Sequence, residues 1–306
     1  MINKEIKVAV TSRSFSKNNV LRKEILQRYE NVKFNDKGLK LQGASLIDFL
    51  QGCQKAITAL EVIDDSLLRK LPKLEVISKY GVGLDMIDMQ AIKKYNIRLG
   101  WTGGVNRRSV SELVISLSIS LLRYVAKSNR EVLSGVWRQH IGGHLSGRTI
   151  GIIGCGYIGQ DLIRILQPFG CQILVNDIKD HKDFYKKYNI QKVEKDELLS
   201  RSDVVTLHTP LDKSTRNMLS AERLSLMKAD AILINTARGG LVDENALKEM
   251  LITGRLHGAA FDVFSIEPPK DNELLNLPNF IATPHIGGSA NEAIMAMGRA
   301  AINGLN

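Results

Sequence analysis

The chain has 306 residues, 44% hydrophobic and 24% charged, with a formal net charge of +10. That length suggests about two domains, and the composition is that of an ordinary globular protein, not a disordered, fibrous or disulfide-rich one. No apolar run reaches the roughly 18 residues a membrane span needs, and residues 1–7 lack a signal-peptide core. The three cysteines (Cys53, Cys155, Cys171) match no metal or disulfide spacing, which predicts reduced thiols and a cytoplasmic protein. The excess of Lys and Arg favours anions. The lysines are scattered, however, and no basic-aromatic motif occurs. The expected partner is therefore a small anionic molecule, with no nucleic acid and no membrane.

In chain order, residues 7–10 read as a buried strand, 20–29 as a helix, 56–59 and 74–78 as strands, and 85–95 as a helix. Strands alternating with helices predict an α/β lobe with a parallel sheet. Residues 109–125 read as a long helix with apolar residues nearly all round, and Ser109-Val110-Ser111-Glu112 resembles a capping box. Such a helix must be covered on most sides, by a domain junction or a subunit interface. A second α/β unit follows, with strands at 149–153, 172–176, 204–207, 231–235, 258–261 and 280–282. A last helix, 290–305, is expected to return to the first lobe. The reading is two lobes: residues 1–103 plus 287–306, and residues 104–286.

The most specific local signal is Gly154-x-Gly156-x-x-Gly159, directly after the apolar run 149–153 and opening a helical pattern. Gly154 allows the tight turn, Gly156 lets backbone approach a pyrophosphate at the helix N-terminus, and Gly159 lets the helix pack on the strand. Tyr157 and Ile158 occupy the variable positions. A second apolar run ends in Asp177, 18 residues past Gly159, where a carboxylate can accept hydrogen bonds from a ribose diol. A carboxylate repels a 2′-phosphate, so NAD is favoured over NADP.

Ligands in open α/β sheets bind beyond the carboxyl ends of strands. Those positions hold Thr209-Pro210, Thr236-Ala237-Arg238, Asp262, Glu267 and His285-Ile286-Gly287. An arginine fork matches a carboxylate. A histidine can pass a proton to and from a carbonyl oxygen. A carboxylate bonded to that histidine fixes its tautomer. Thr209 and Pro210 are expected to line the cofactor, Asp262 to accept its carboxamide, and His208 to be structural.

These segments resemble the D-isomer specific, NAD-dependent 2-hydroxyacid dehydrogenase family. The likeness rests on Lys79-Tyr80-Gly81-Val82-Gly83-Leu84-Asp85, Gly104-Val105-Asn106-Arg107-Arg108-Ser109-Val110-Ser111-Glu112, the glycine loop, His208-Thr209-Pro210-Leu211, Asn235-Thr236-Ala237-Arg238-Gly239-Gly240, Phe261-Asp262-Val263-Phe264, Glu267-Pro268-Pro269 and Pro284-His285-Ile286-Gly287-Gly288. It implies two Rossmann-like lobes with doubly wound parallel sheets, a flavodoxin-like substrate (catalytic) domain plus an NAD-binding domain. It also implies a catalytic set of Arg238, Glu267 and His285. His285 would be the acid/base, Glu267 its orienting partner and Arg238 the substrate anchor. Backbone amides of Val82 and Gly83 would hold the substrate carboxylate, beside Lys79. Gly154, Gly156, Tyr157, Ile158, Gly159, Asp177, Thr209, Pro210, Thr236, Ala237, Asp262 and Gly287 would line the cofactor. The helix at 109–125 would help form a homodimer.

Within the family the likeness is to the phosphoglycerate dehydrogenase-like branch. The segment Ala59-Leu60-Glu61 lacks the arginine similar enzymes offer to a phosphate, and Glu61 would repel one. Tyr157 replaces the arginine commonly found in the glycine loop, and Gly103 stands where a proline is usual. The implied activity is reversible reduction of a 2-oxo acid to a D-2-hydroxy acid, with D-3-phosphoglycerate as one specific alternative. An NAD(H)-sensing corepressor-like binding protein is the alternative of another class, and an inactive structural paralogue a weaker third.

Overall fold

Short runs of β-branched and small apolar residues, punctuated by glycine and asparagine turns, form twelve strands among the described residues. The computed structural model describes residues 2–270 and 272–306. It divides into a first unit, up to Asn106 plus Ser289–Asn306, and a second, Arg107–Gly288. The sequence places those divisions at 103/104 and 286/287. The short difference falls in turns, where no periodicity marks a boundary.

In the first unit, β1 (Asn3–Val10), β2 (Tyr29–Phe34), β3 (Lys55–Thr58), β4 (Val76–Lys79) and β5 (Arg98–Gly100) form a parallel sheet of order β2-β1-β3-β4-β5, the flavodoxin-like order. Val8, Val10 and Ile57 face one apolar layer with Ala301, Ile302 and Leu305, and Ala9, Ala56 and Ile77 face another. The final helix, Asn291–Asn303, therefore covers the first unit's own sheet. Ser78 Oγ donates to Ala301 O at 2.6 Å and Lys55 Nζ to Leu305 O at 2.5 Å. The sequence predicts a helix through residue 29, but the helix ends at Leu26 and Tyr29–Phe34 is an edge strand. Its adjacent polar pair Glu30-Asn31 interrupts the alternation that marks a strand, while the charged Glu30 and Lys33 protect the edge. The helix predicted at 85–95 is Met89–Lys94, because the Asp88 carboxylate accepts the N–H groups of Gln90 and Ala91 and starts it there.

In the second unit, β6 (Thr149–Ile153), β7 (Gln172–Asn176), β8 (Gln191–Lys192), β9 (Val204–Leu207), β10 (Ile232–Asn235), β11 (Gly258–Phe261) and β12 (Phe280–Ala282) pair in the order β12-β11-β10-β9-β6-β7-β8, all parallel. This is the doubly wound dinucleotide-binding order with one added strand, and its switch point lies between β6 and β9. Ile152 and Ile153 are fully buried on opposite faces, each contributing about 2 kcal/mol of apolar burial.

The long helix is Arg107–Leu122. It begins two residues before the predicted capping box, so Ser109 lies inside it. Its residues Val114, Leu117, Leu121 and Leu122 are buried in the second unit's own core. Most of its apolar surface is therefore covered within the unit itself, where the sequence suggests a domain junction or a subunit interface. The chain bends at Tyr124, in the left-handed region at φ 55°, into a second helix, Val125–Leu133. Among the described residues no single helix is long and apolar enough to cross a membrane; this bent pair reaches that length only in combination, at 61°.

Candidate active site

Register aligns the carboxyl ends of the second sheet. Ala282 pairs Phe261, Phe261 pairs Asn235, Asn235 pairs Leu207, Leu207 pairs Ile153 and Ile153 pairs Asn176. The residues that follow this row are Thr283, Asp262, Thr236, His208, Gly154 and Asp177. Each expected site segment of this unit thus leaves the sheet at one level of one edge.

The glycine loop has the shape its spacing predicts. Gly154 lies at φ 99°, and a Cβ there would sit 2.6 Å from His208 O. A Cβ on Gly159 would sit 2.3 Å from Gly154 O, but one on Gly156 would meet nothing within 4 Å. Gly156 is also the N-cap of helix Tyr157–Leu166, with no side chain on the free N–H groups. Open space over an uncapped helix N-terminus suits a pyrophosphate. Asp177 accepts the N–H of Cys155 at 2.5 Å and of Lys179 at 2.7 Å, one on each oxygen. Its carboxylate is thus held beside the loop with acceptor capacity left for a diol. Tyr157 is exposed, and Ile158 O accepts from Ser111 Oγ. The residues present fit a dinucleotide.

Further along the row, Glu267 Oε2 lies 2.8 Å from His285 Nδ1. A carboxylate only accepts, so Nδ1 carries the proton and Nε2 is left to exchange one. Glu267 Oε1 accepts the Phe264 N–H, fixing the carboxylate in turn. His285 sits at φ 56°, a left-handed conformation costing about 1 kcal/mol. Buried Asp262 offsets that cost. It accepts Thr283 Oγ1 at 2.6 Å, Ile286 N at 2.7 Å and Gly287 N at 2.7 Å, from either side of the histidine. Asp262 is therefore a clamp on the His285 loop, a duty the sequence did not disclose. Arg238 follows Thr236 and Ala237. Asn235 holds that turn by donating to Arg238 O and accepting from Ala237 N, and Arg238 itself donates to Ala237 O. Thr236 Oγ1 is buried with no protein partner among the described residues. Thr209 is half-buried and Pro210 exposed.

His208 Nε2 lies 3.0 Å from Thr206 Oγ1, its Nδ1 has no protein partner, and burial pushes its pKa down to about 3. It is neutral; its backbone N–H donates to Ile153 O at 2.8 Å, and its carbonyl lies where a Cβ on Gly154 would fall. A second support is missed by the sequence reading: buried Asp161, on the loop's helix, accepts two bonds from Arg108, at 2.9 and 3.1 Å. The adjacent Arg107-Arg108 pair was its only signal. Among the described residues no cluster of three or more His, Cys, Asp or Glu side chains is placed to hold a metal.

Lys79, Val82 and Gly83 belong to the first unit. Lys79 ends β4, is buried, and donates through Nζ to Ala59 O. The chain turns at Gly81, φ 123°, and among the described residues the N–H groups of Val82 and Gly83 meet no protein acceptor. Glu61 folds back to accept the Ala59 N–H at 2.6 Å.

The strand order, switch-point loop and strand-end pair of the second unit define a nicotinamide-dinucleotide oxidoreductase. Residues 115–287 match the NAD-binding domain of the D-isomer specific 2-hydroxyacid dehydrogenases. The chain is 40% identical over 235 residues to the D-3-phosphoglycerate dehydrogenase of Methanocaldococcus jannaschii, covering 76% of this chain and 45% of that protein. It is 39% identical over 231 residues to the hydroxypyruvate reductase of Thermotoga maritima, covering 74% of each. The D-lactate dehydrogenase from Aquifex aeolicus complexed with NAD and lactic acid aligns with a TM-score of 0.82 at 27% identity, over 97% of this chain and 93% of that one. The chain belongs to the D-isomer specific 2-hydroxyacid dehydrogenase family, NAD-dependent oxidoreductases acting on CH–OH donors. It spans about half the length of the phosphoglycerate dehydrogenases it matches.

Proposed function

We propose that this chain interconverts a small 2-oxo acid and its D-2-hydroxy acid with NAD(H). The observation that carries this reading is the His285–Glu267 pair at 2.8 Å, held at the strand-end row that also starts the glycine loop. NADH, when bound, supplies the hydride for C2. Gly154, Gly156 and Gly159 shape its pyrophosphate site, and Asp177 takes the adenosine ribose. Thr209, Pro210, Thr236, Ala237 and Gly287 line the rest. His285 Nε2 delivers the proton to the carbonyl oxygen and recovers it in reverse, while Glu267 fixes the tautomer and stabilises the charged ring. Arg238 anchors the substrate and polarises its carbonyl. The free amides of Val82 and Gly83 take the carboxylate.

Glu61, bonded to the Ala59 N–H, disfavours a phosphorylated substrate. A plain acid such as glyoxylate, hydroxypyruvate or pyruvate fits better. NADH oxidation with those three, a branched 2-oxo acid and 3-phosphohydroxypyruvate tests the proposal. Turnover is expected with at least one plain acid and faster than with the phosphorylated one. No turnover despite NADH binding would instead favour an NAD(H)-sensing binding protein.

The same reading includes a homodimer in the cytoplasm. Leu133, Trp137 and Ile141 expose 79%, 86% and 97% of their surface, just beyond the long helix. Three large exposed apolar side chains so close in the chain point to a contact surface, and a symmetric dimer is the commonest way to cover one. The free cysteines suit a reducing compartment. Light scattering should give twice the chain mass, falling to one chain in Trp137→Glu; a monomeric parent protein would refute the dimer.

A further inference from the structure

Gly81–Gly83 is a donor turn without a helix behind it. In the first unit the next helix begins only at Met89, so no backbone ladder holds the amides of Val82 and Gly83 in place. Each amide plane has two ends, however. Fixing the carbonyl of Val82 fixes the N–H of Gly83, because both belong to one planar peptide. That carbonyl has a partner: Trp101 Nε1–H donates to Val82 O at 2.9 Å.

Parallel pairing explains how a residue 19 positions away in the chain arrives there. Ser78 pairs Gly100, so Trp101 leaves β5 level with Lys79, the last residue of β4. Lys79 fixes the neighbouring segment by donating to Ala59 O. Trp101 is 42% exposed, so its ring is not a core residue that happens to touch the turn. A large indole kept partly in solvent, with its single N–H spent on one carbonyl of a donor turn, has little packing reason to be there.

We infer that Trp101 is a positioning residue for carboxylate recognition: its indole N–H pre-orients the Val82–Gly83 peptide so that the Gly83 amide faces the substrate carboxylate. The inference rests on the assignment of that turn to the substrate carboxylate. A pre-oriented donor saves the ordering cost at binding. The residue acts on ground-state and transition-state binding alike, so its loss raises KM and leaves kcat nearly unchanged.

Oxamate, a non-reacting mimic of a 2-oxo acid, isolates binding from turnover. Its Kd is measured by calorimetry on the NADH-saturated protein for the parent, Trp101→Phe and Trp101→Gln. Phe keeps an aromatic ring without the donor; Gln keeps an N–H donor without the ring. Phe should weaken oxamate about fivefold, the effect of one ordinary hydrogen bond, and Gln should recover part of that loss. NADH affinity and Tm should stay level in Phe. Equal oxamate affinity in Phe and the parent, or a Gln variant weaker than Phe, would overturn the role of the N–H. A parent protein that binds oxamate with this pattern but turns over no 2-oxo acid would refute the proposed activity and leave the positioning role standing. A parent that does not bind oxamate would refute the positioning role.

Discussion

Two glycine turns, each at the end of a buried parallel strand, present backbone N–H groups in different ways. After β6, Gly154 turns directly into helix Tyr157–Leu166, whose hydrogen-bond ladder fixes its first-turn amides. After β4, Gly81 turns into a loop with no helix until Met89, and the peptide that carries the Gly83 N–H is held at its other end by Trp101, which follows β5. A donor site needs rigidity, and rigidity has two sources. Where a helix supplies it, glycine spacing is enough to specify the site. Where none does, a side chain such as Trp101 must be brought in by the fold.

If the second unit carries the chemistry and the first only holds substrate, His285→Ala should have the largest effect. We expect kcat to fall by about three orders of magnitude, with the NADH Kd within about twofold in a fluorescence titration. Loss of NADH binding instead would place His285 in the cofactor cradle.

The helix-backed loop is tested by two glycine substitutions. Gly156→Val fills open space, so it should weaken NADH by at least about tenfold at unchanged Tm. Gly159→Ala drives a Cβ to 2.3 Å from Gly154 O, so it should lower Tm as well. Equal Tm losses in both would erase the distinction between cradle and packing glycine.

Asp177→Ala removes the carboxylate that disfavours a 2′-phosphate. The preference for NAD over NADP should fall by about tenfold in kcat/KM, the effect of about 1.4 kcal/mol. Selectivity that does not move would sink the assignment.

The smallest effect comes from His208, which follows β9 beside the glycine loop. Its pKa falls from 6.5 to about 3 on folding, through burial. Between those values the unfolded chain holds the extra proton, so stability drops as pH falls through that window. The loss should be about 1 kcal/mol at pH 6 and steepen below. Urea midpoints of His208→Asn should vary less with pH than those of the parent; parallel curves would contradict a neutral buried imidazole.

The glycine loop and Asp177 were legible because they lie within one strand–helix–strand unit, where spacing is local. His285 and Glu267 were legible as strand-end residues, but not the clamp that holds the histidine's loop: Asp262 reaches Ile286 and Gly287 across the sheet edge. The strand Tyr29–Phe34 was illegible because the adjacent polar residues Glu30 and Asn31 interrupt its alternation and the helical spacing before it runs on to Tyr29.

By itself the sequence determined the parallel α/β class, the dinucleotide loop and the set of groups available for proton transfer. Each is written in residue type and short-range spacing. Only the tertiary structure decided what covers each apolar face and which distant side chain fixes each turn. The helix Arg107–Leu122 is apolar nearly all round, yet periodicity does not say whether its own unit or a second chain buries it. Nor does any pattern connect Trp101 to Val82. Periodicity records that a surface is buried, whereas the partner is set by strand order and register.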